Sequence, residues 1–228
     1  MARGGEQHIP RPEQWRLVDS SPWSDRDLSP LASFTKLTDV LAQRIVGRSP
    51  SLHVPTFVPE EIAGSSRSSA VLIALHDTSD GPSVVLTRRT KNLSSHKGEM
   101  SFPGGRVDEG ESIIDAALRE AHEEVGLAPS LVSYVGELDG LSTMVSRSRI
   151  HPIVATVESM PDLVPNLAEV DRIVHVPLVE LAHHETYRRE QWHRNGNDID
   201  IHFFEIEGDT VWGATGRMLH QLLDILTA

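Results

Sequence analysis

The run Phe102-Pro103-Gly104-Gly105-Arg106-Val107-Asp108-Glu109-Gly110-Glu111, followed seven residues later by Arg119-Glu120-Ala121-His122-Glu123-Glu124-Val125-Gly126-Leu127, sets the reading of this chain. Eight acids fall between Glu99 and Glu124. Glu120, Glu123 and Glu124 stand at i, i+3 and i+4, so on a helix their carboxylates share one face. Like charges there repel unless they share a positive partner, and a hard divalent ion such as Mg²⁺ takes oxygen ligands from carboxylates, backbone carbonyls and water. Gly104 and Gly105 lack a β-carbon and can bring backbone close to such an ion and to a phosphate. The other helix face, with Ile113, Ala116, Ala117 and Ala121, is small and apolar enough to lie close to a sheet. Arg119 is expected to pair with Glu111 or Glu123 and hold the preceding loop against the helix. The helix runs from about Ser112 to Val125 and stops at Gly126, with Pro129 just beyond.

Outward from this segment, Ala70–His76 and Ser83–Thr87 read as strands joined by the turn Asp80-Gly81-Pro82. Leu131–Leu138, Ile150–Glu158, Ile173–Val176 and Ile199–Ile206 read as further strands. Met160 to Glu169 reads as a Pro-rich loop. Leu31, Phe34, Leu37, Leu41 and Ile45 recur at helical spacing, stopped by Gly47 and Pro50. Pro177–His183 reads as a short helix, and Met218, Leu219, Leu222, Leu223 and Leu226 form the apolar stripe of a final one, as core or dimer contact. Residues 1–30 read as an irregular arm with Trp15 and Trp23 as anchors, and Glu185 to Asp198 as a polar stretch without a strand pattern. Strands surrounding one central helix and a terminal one predict an α/β sandwich with a mixed sheet, not a doubly wound parallel fold.

The 228 residues carry 21 Lys plus Arg against 33 Asp plus Glu, a formal charge of −12. That balance argues against nucleic acid and against an anionic membrane as partners. It leaves room for an anionic small substrate, because a bound cation inverts the local potential. With no cysteine, disulfides, thiol nucleophiles and sulfur-ligated zinc are excluded. The twelve histidines form no His-Glu-x-x-His pattern. The first residues carry no apolar signal core, and the longest apolar run, Ala70 to Leu75, is far too short to span a bilayer, so the expectation is a soluble cytoplasmic protein.

Gly105, Glu111, Arg119, Glu120, Ala121, Glu123, Glu124, Gly126 and Leu127 together resemble the Nudix hydrolase signature: glycine, five residues, glutamate, seven residues, Arg-Glu, an aliphatic, any residue, Glu-Glu, any residue, glycine, aliphatic. Ala121 is smaller than usual. The resemblance implies an α/β/α sandwich that hydrolyses a nucleoside diphosphate linked to another group. It implies Mg²⁺ or Mn²⁺ held by Glu120, Glu123 and Glu124 with a backbone oxygen near Gly104 or Gly105. Glu123, Glu124 or the loop residue Glu169 would serve as base or complete the metal site, with Arg119 orienting the cluster.

Upstream, Leu86-Thr87-Arg88-Arg89 and Gly98 to Gly105 resemble the extended motif of coenzyme A pyrophosphatases. Thr90 stands where Ser or Ala is usual, and Ser94 where that motif carries Arg. Pro165–Val170, Val176–Leu178 and Val211–Thr215 resemble the same subgroup. This resemblance implies coenzyme A or an acyl-CoA as substrate, with 3′,5′-ADP and (acyl-)4′-phosphopantetheine as products. Arg89, Arg88, Lys97 and Gly105 are the candidate substrate contacts, since guanidinium suits phosphate geometry. Residues 61–228 are assigned to the Nudix hydrolase domain and 1–60 to an accessory arm and helix, with a homodimer as a possible assembly. Two other readings stand beside this one: a Nudix hydrolase for ADP-ribose, NADH, a dinucleoside polyphosphate or an oxidised nucleotide, or a non-catalytic nucleotide-binding Nudix module.

Overall fold

A computed structural model describes residues 3–18, 21–53, 67–91, 97–142 and 148–228. In chain order its elements are β1 (Trp15–Val18), α1 (Ser29–Ala32), α2 (Phe34–Arg44), β2 (Leu52–His53), β3 (Arg67–His76), β4 (Ser83–Arg89), β5 (Met100–Ser101), β6 (Gly104–Arg106), α3 (Ile113–Val125), β7 (Val132–Glu137), β8 (Gly140–Ser142), β9 (Ser148–Val157), β10 (Val170–Pro177), α4 (Leu178–Leu181), β11 (Tyr187–Arg194), β12 (Asn197–Ile206), β13 (Asp209–Val211) and α5 (Gly213–Thr227). The near-continuous apolar run of β3 is buried on both faces, as expected for a strand with a layer packed on each side. It pairs in parallel with β9 and antiparallel with β4 and β6. The main sheet is therefore mixed, in the order β10-β4-β3-β9-β8-β2 with β5, β6 and β7 attached.

Side chains alternate across this sheet and build two cores. On one face Ala70, Leu72 and Ala74 of β3 meet Ala116, Ala117, Ala121 and Val125 of α3. On the other, Ile73, Leu75, Val84 and Leu86 meet α2, α5 and a second, four-stranded antiparallel sheet, β1-β11-β12-β13. Helix, mixed sheet and helices thus form the expected α/β/α sandwich, and the stripe Met218, Leu219, Leu222, Leu223 and Leu226 is core.

Several local expectations change. The helix expected from Leu31 to Ile45 is divided: Ser33 takes an extended conformation and its side chain caps α2 through the Lys36 amide. The polar stretch Glu185–Asp198 contains strand β11, and the first 30 residues contain β1, paired to it with Trp15 opposite Trp192. Strand β11 hides its pattern because its polar side chains are paired, Arg188 with Glu205 and Arg189 with Asp200 across the sheet, Gln191 with Arg16 of β1, and the buried Glu190 with Arg11. Trp23 is fully buried against Tyr187 and Phe204 and donates to Asp224 at 3.1 Å. Trp15 is 46% exposed, with the Arg11 guanidinium 5.0 Å from its ring centre.

Candidate active site

Helix α3 begins where the Ser112 hydroxyl accepts from the Asp115 amide at 3.1 Å and ends where Gly126 turns left-handed with φ 73°. Its alanines let it lie close to β3, which turns the acidic face toward β6. There the two glycines are required by contact. Strand β6 sets Gly105 opposite Ala70 and Gly104 opposite Val71. A β-carbon on Gly105 would overlap the Glu120 carboxyl group, and one on Gly104 would overlap the backbone of Ala70 and Val71. The Gly104 amide donates to Glu124 at 3.1 Å.

Arg119 is the hub of the acidic cluster. It donates to Glu111 at 2.9 and 3.1 Å, to Glu120 at 3.0 Å, to Glu123 at 3.1 Å and to the Arg106 carbonyl at 3.0 Å. The expected pairing with Glu111 or Glu123 is thus made to both, with Glu120 added. The Arg119 fork and the Asp108 amide hold Glu111 below the usual carboxylate range. Arg119 in turn is held more firmly protonated than a free arginine, first by Glu111.

Glu124 is buried, and burial pushes its pKa up to about 7. The Gly104 amide and Arg89 pull it back, while Glu120 and Glu169 push it further up. Glu120 is raised by burial first, with Arg119 opposing and Glu123 and Glu169 adding to the rise. Glu169, Glu120 and Glu124 therefore share one field although Glu169 lies on a distant loop. Three backbone bonds bring it there: Asn166 to the Glu124 carbonyl at 2.9 Å, Val164 to the Val125 carbonyl at 3.1 Å, and Thr90 to the Glu169 carbonyl at 2.8 Å. The loop after β9 is thus docked on the C-terminus of α3 and tied to the end of β4. The role of Thr90 in holding this loop is not legible in the sequence, because its partner is a backbone group 79 positions away.

Arg88 and Arg89 alternate across β4. Arg89 faces α3, 3.6 Å from Glu124, and its Nε is buried with no hydrogen-bond partner. Arg88 turns to the opposite face, where it pairs with Asp171 at 2.7 Å and with the fully buried Asp209 at 3.2 Å. Lys97 is exposed in the turn before β5, and His122 is exposed on α3. Ser94 and His96 lie outside the described residues. The structure therefore brings together Gly104, Gly105, Arg119, Glu120, Glu123, Glu124, Glu169 and Arg89, turns Arg88 away from them, and leaves Lys97 exposed one residue before Gly98, whose amide donates to the Arg89 carbonyl at 3.1 Å.

Among the described residues no three His, Asp or Glu side chains converge at metal-binding distance. Their chemistry nonetheless fits a hard cation. Burial raises the proton affinity of both Glu120 and Glu124, and Glu120 raises that of Glu124 further, so a positive charge shared between them relieves both burial and repulsion.

The chain matches the family model described as NUDIX domain over residues 66–196. It is 34% identical over 165 residues to the uncharacterized Nudix hydrolase NudL of Photorhabdus laumondii, covering 72% of this chain and 87% of that one. It is 32% identical over 193 residues to Nudix hydrolase 3 of Caenorhabditis elegans, covering 78% and 80%. It is 33% identical over 199 residues to the chloroplastic Nudix hydrolase 22 of Arabidopsis thaliana, covering 82% and 65%.

Proposed function

This chain belongs to the NUDIX domain family and is a pyrophosphatase-type hydrolase of nucleotide-linked diphosphates, and on that premise we propose that Glu120, Glu123 and Glu124, with the Gly104 backbone, hold Mg²⁺ or Mn²⁺ beside the diphosphate. The observation that carries the reading is the meeting of Gly104, Gly105, Glu120 and Glu124 with the buried, unpartnered Arg89 Nε. When bound, the divalent cation supplies positive charge to the diphosphate oxygens. Every other part of the chemistry belongs to side chains of this chain. Arg89 binds a phosphate oxygen through Nε and the rest of its fork. Arg119 keeps Glu120 and Glu123 aimed while its bonds to Glu111 and the Arg106 carbonyl fix the glycine strand. Glu124, with a pKa near neutrality, or Glu169 accepts the proton of the attacking water. Water attacks one phosphorus, the P–O bond to the bridging oxygen breaks, and the second phosphate leaves. We place this chemistry on residues 61–228. Residues 1–60 serve as an accessory segment that braces the fold through Trp23.

Among substrates, we favour coenzyme A or an acyl-CoA. Support comes from Leu86–Arg89 and Gly98–Gly105: Gly98 has φ 68°, a conformation that favours glycine, and Phe102 is buried. The broader reading, another nucleoside diphosphate derivative such as ADP-ribose, NADH or a dinucleoside polyphosphate, rests on the box alone and needs neither segment. Purified protein given Mg²⁺ or Mn²⁺ and a panel of CoA, acetyl-CoA, ADP-ribose, NADH and diadenosine polyphosphates decides between them. Products weighed by mass spectrometry are expected to be 3′,5′-ADP and 4′-phosphopantetheine from CoA. Turnover of another member in preference to CoA selects the broader reading, and no turnover of any member with either metal overturns the catalytic assignment.

A further inference from the structure

On the face of the main sheet opposite α3, the second sheet and α5 enclose a cavity of about 510 Å³ that shares no residue with the cluster around α3. Its size is that of a small-molecule site. Its wall carries Arg189, Asp200 and His202 from β11 and β12, and Arg217, His220 and Asp224 from α5. Asp139 closes one end.

Every acid of this wall already has donors. Asp139 accepts from Arg48 at 2.7 Å, from the Ser51 amide at 2.8 Å and from Gln221 at 2.7 Å. Asp200 accepts from Arg189 at 2.9 Å and Gln191 at 3.3 Å. Asp224 accepts from Trp23 at 3.1 Å and Arg26 at 2.9 Å. Arg217 is different: among the described residues it has no hydrogen-bond or ion-pair partner, although it is only partly exposed. Asp139 and Asp200 act on it only through their field, and burial lowers its proton affinity. The lining carries Arg189 and Arg217 with Asp139, Asp200 and Asp224, and Arg48 and Arg26 pair with Asp139 and Asp224 from outside it, so that of all these groups only Arg217 is left without a partner among the described residues. The rings of His202 and His220 stack 3.9 Å apart, and burial disfavours the charged form of both. Tyr187 fixes one of them through a 2.9 Å bond to His202 Nδ1. Neutral imidazoles beside an unpaired guanidinium give hydrogen bonds without adding a competing anion.

We propose that this cavity is a second binding site, separate from the hydrolytic one, for an organic molecule bearing an oxyanion, with the oxyanion held by Arg217. A partly buried guanidinium without a protein partner presents free donors to the cavity, and an incoming phosphate or carboxylate supplies the bidentate acceptor that it lacks. The cavity exceeds what an inorganic anion fills, so the oxyanion is one end of a larger ligand.

The test is a titration followed by NMR of the arginine Nε–H and histidine ring resonances, with sodium phosphate and sodium acetate as probes against sodium chloride at equal ionic strength and pH 7. Saturable shifts of Arg217, His202 and His220 are expected. A response to phosphate alone assigns a phosphate group, and a response to acetate a carboxylate. Arg217→Gln is expected to weaken that response about tenfold or more. Arg217→Lys retains part of it, and Arg89→Gln leaves it unchanged. No saturable shift with either probe in the unaltered protein overturns the proposal, as does an unchanged response in a folded Arg217→Gln variant. The unaltered protein alone can deliver the first of these results, so the proposal stays testable if that variant fails to fold.

Discussion

His202 should make this protein acid-labile, by an amount that follows from its surroundings. Its ring is 5% exposed, stacked on His220 and bonded to the Tyr187 hydroxyl. Burial first, then the neighbouring His220 and the positive Arg217 and Arg189, lower its pKa to about 2. In the unfolded chain it titrates near 6.5. Below about pH 6.5 the unfolded state therefore takes up a proton that the folded state refuses. The stability contribution is complete above that pH and is lost as pH falls toward about 2. Between pH 7 and pH 5 the loss amounts to about 2 kcal/mol from this one group. His202→Gln removes the titration while leaving a polar partner for Tyr187. Urea unfolding at pH 7 and pH 5 should show the unaltered protein losing about 2 kcal/mol more than the variant, a relative midpoint change on the order of 1 M. Parallel losses in the two proteins, within about 0.5 kcal/mol, would mean that His202 is not held neutral in the fold.

Three further outcomes are expected. Glu124→Gln should lower kcat about 10²- to 10⁴-fold while raising stability at pH 8 in metal-free protein. With a folded pKa of about 7 against an unfolded value near 4.3, the native carboxyl loses stability as pH rises through that window, by up to about 4 kcal/mol, and the amide escapes it. Activity with Mg²⁺ checks the first and thermal melts in EDTA the second, and an unchanged rate refutes the assigned role. Gly105→Ala should displace the Glu120 carboxyl that its β-carbon would overlap, with kcat falling about tenfold or more while the circular dichroism spectrum is kept; steady-state kinetics equal to the unaltered protein would show that the contact does not matter. Trp23→Ala should cost about 3–5 kcal/mol in chemical unfolding without changing KM, because the ring is fully buried far from the glycine strand; a loss under about 1 kcal/mol would show that the N-terminal segment does not brace the core.

What the sequence makes legible here is whatever depends on near neighbours. Helix α3 carries its own cap, its own stop and a periodic small-residue face, so its position and its acidic side follow from thirteen residues. The Arg119 contacts follow equally, since Glu111, Glu120 and Glu123 all lie within eight positions of it. Strand β11 is the opposite case. Glu190 reads as a surface acid until Arg11, 179 positions earlier, lies against it, and only then can a charged residue sit in a buried strand position. The same holds for Arg88 and Arg89. Adjacent in sequence, both suit a phosphate, and alternation says only that they face opposite ways. Which one faces the acids is decided by the pairing of β4 with β10 and by Asp209 on the far side, a residue whose burial no local pattern announces.

The same distinction bears on the chain's charge. Glu111, Glu120, Glu123, Glu124 and Glu169 gather five carboxylates around one strand of glycines, and Arg119 and Arg89 return two positive charges, leaving an excess of up to three. A diphosphate brought to that surface adds further negative charge, so substrate cannot be held by the arginines alone. On the proposed function, a divalent cation held by these glutamates would remove that obstacle, and the excess acid would make binding of a polyphosphate depend on the ion.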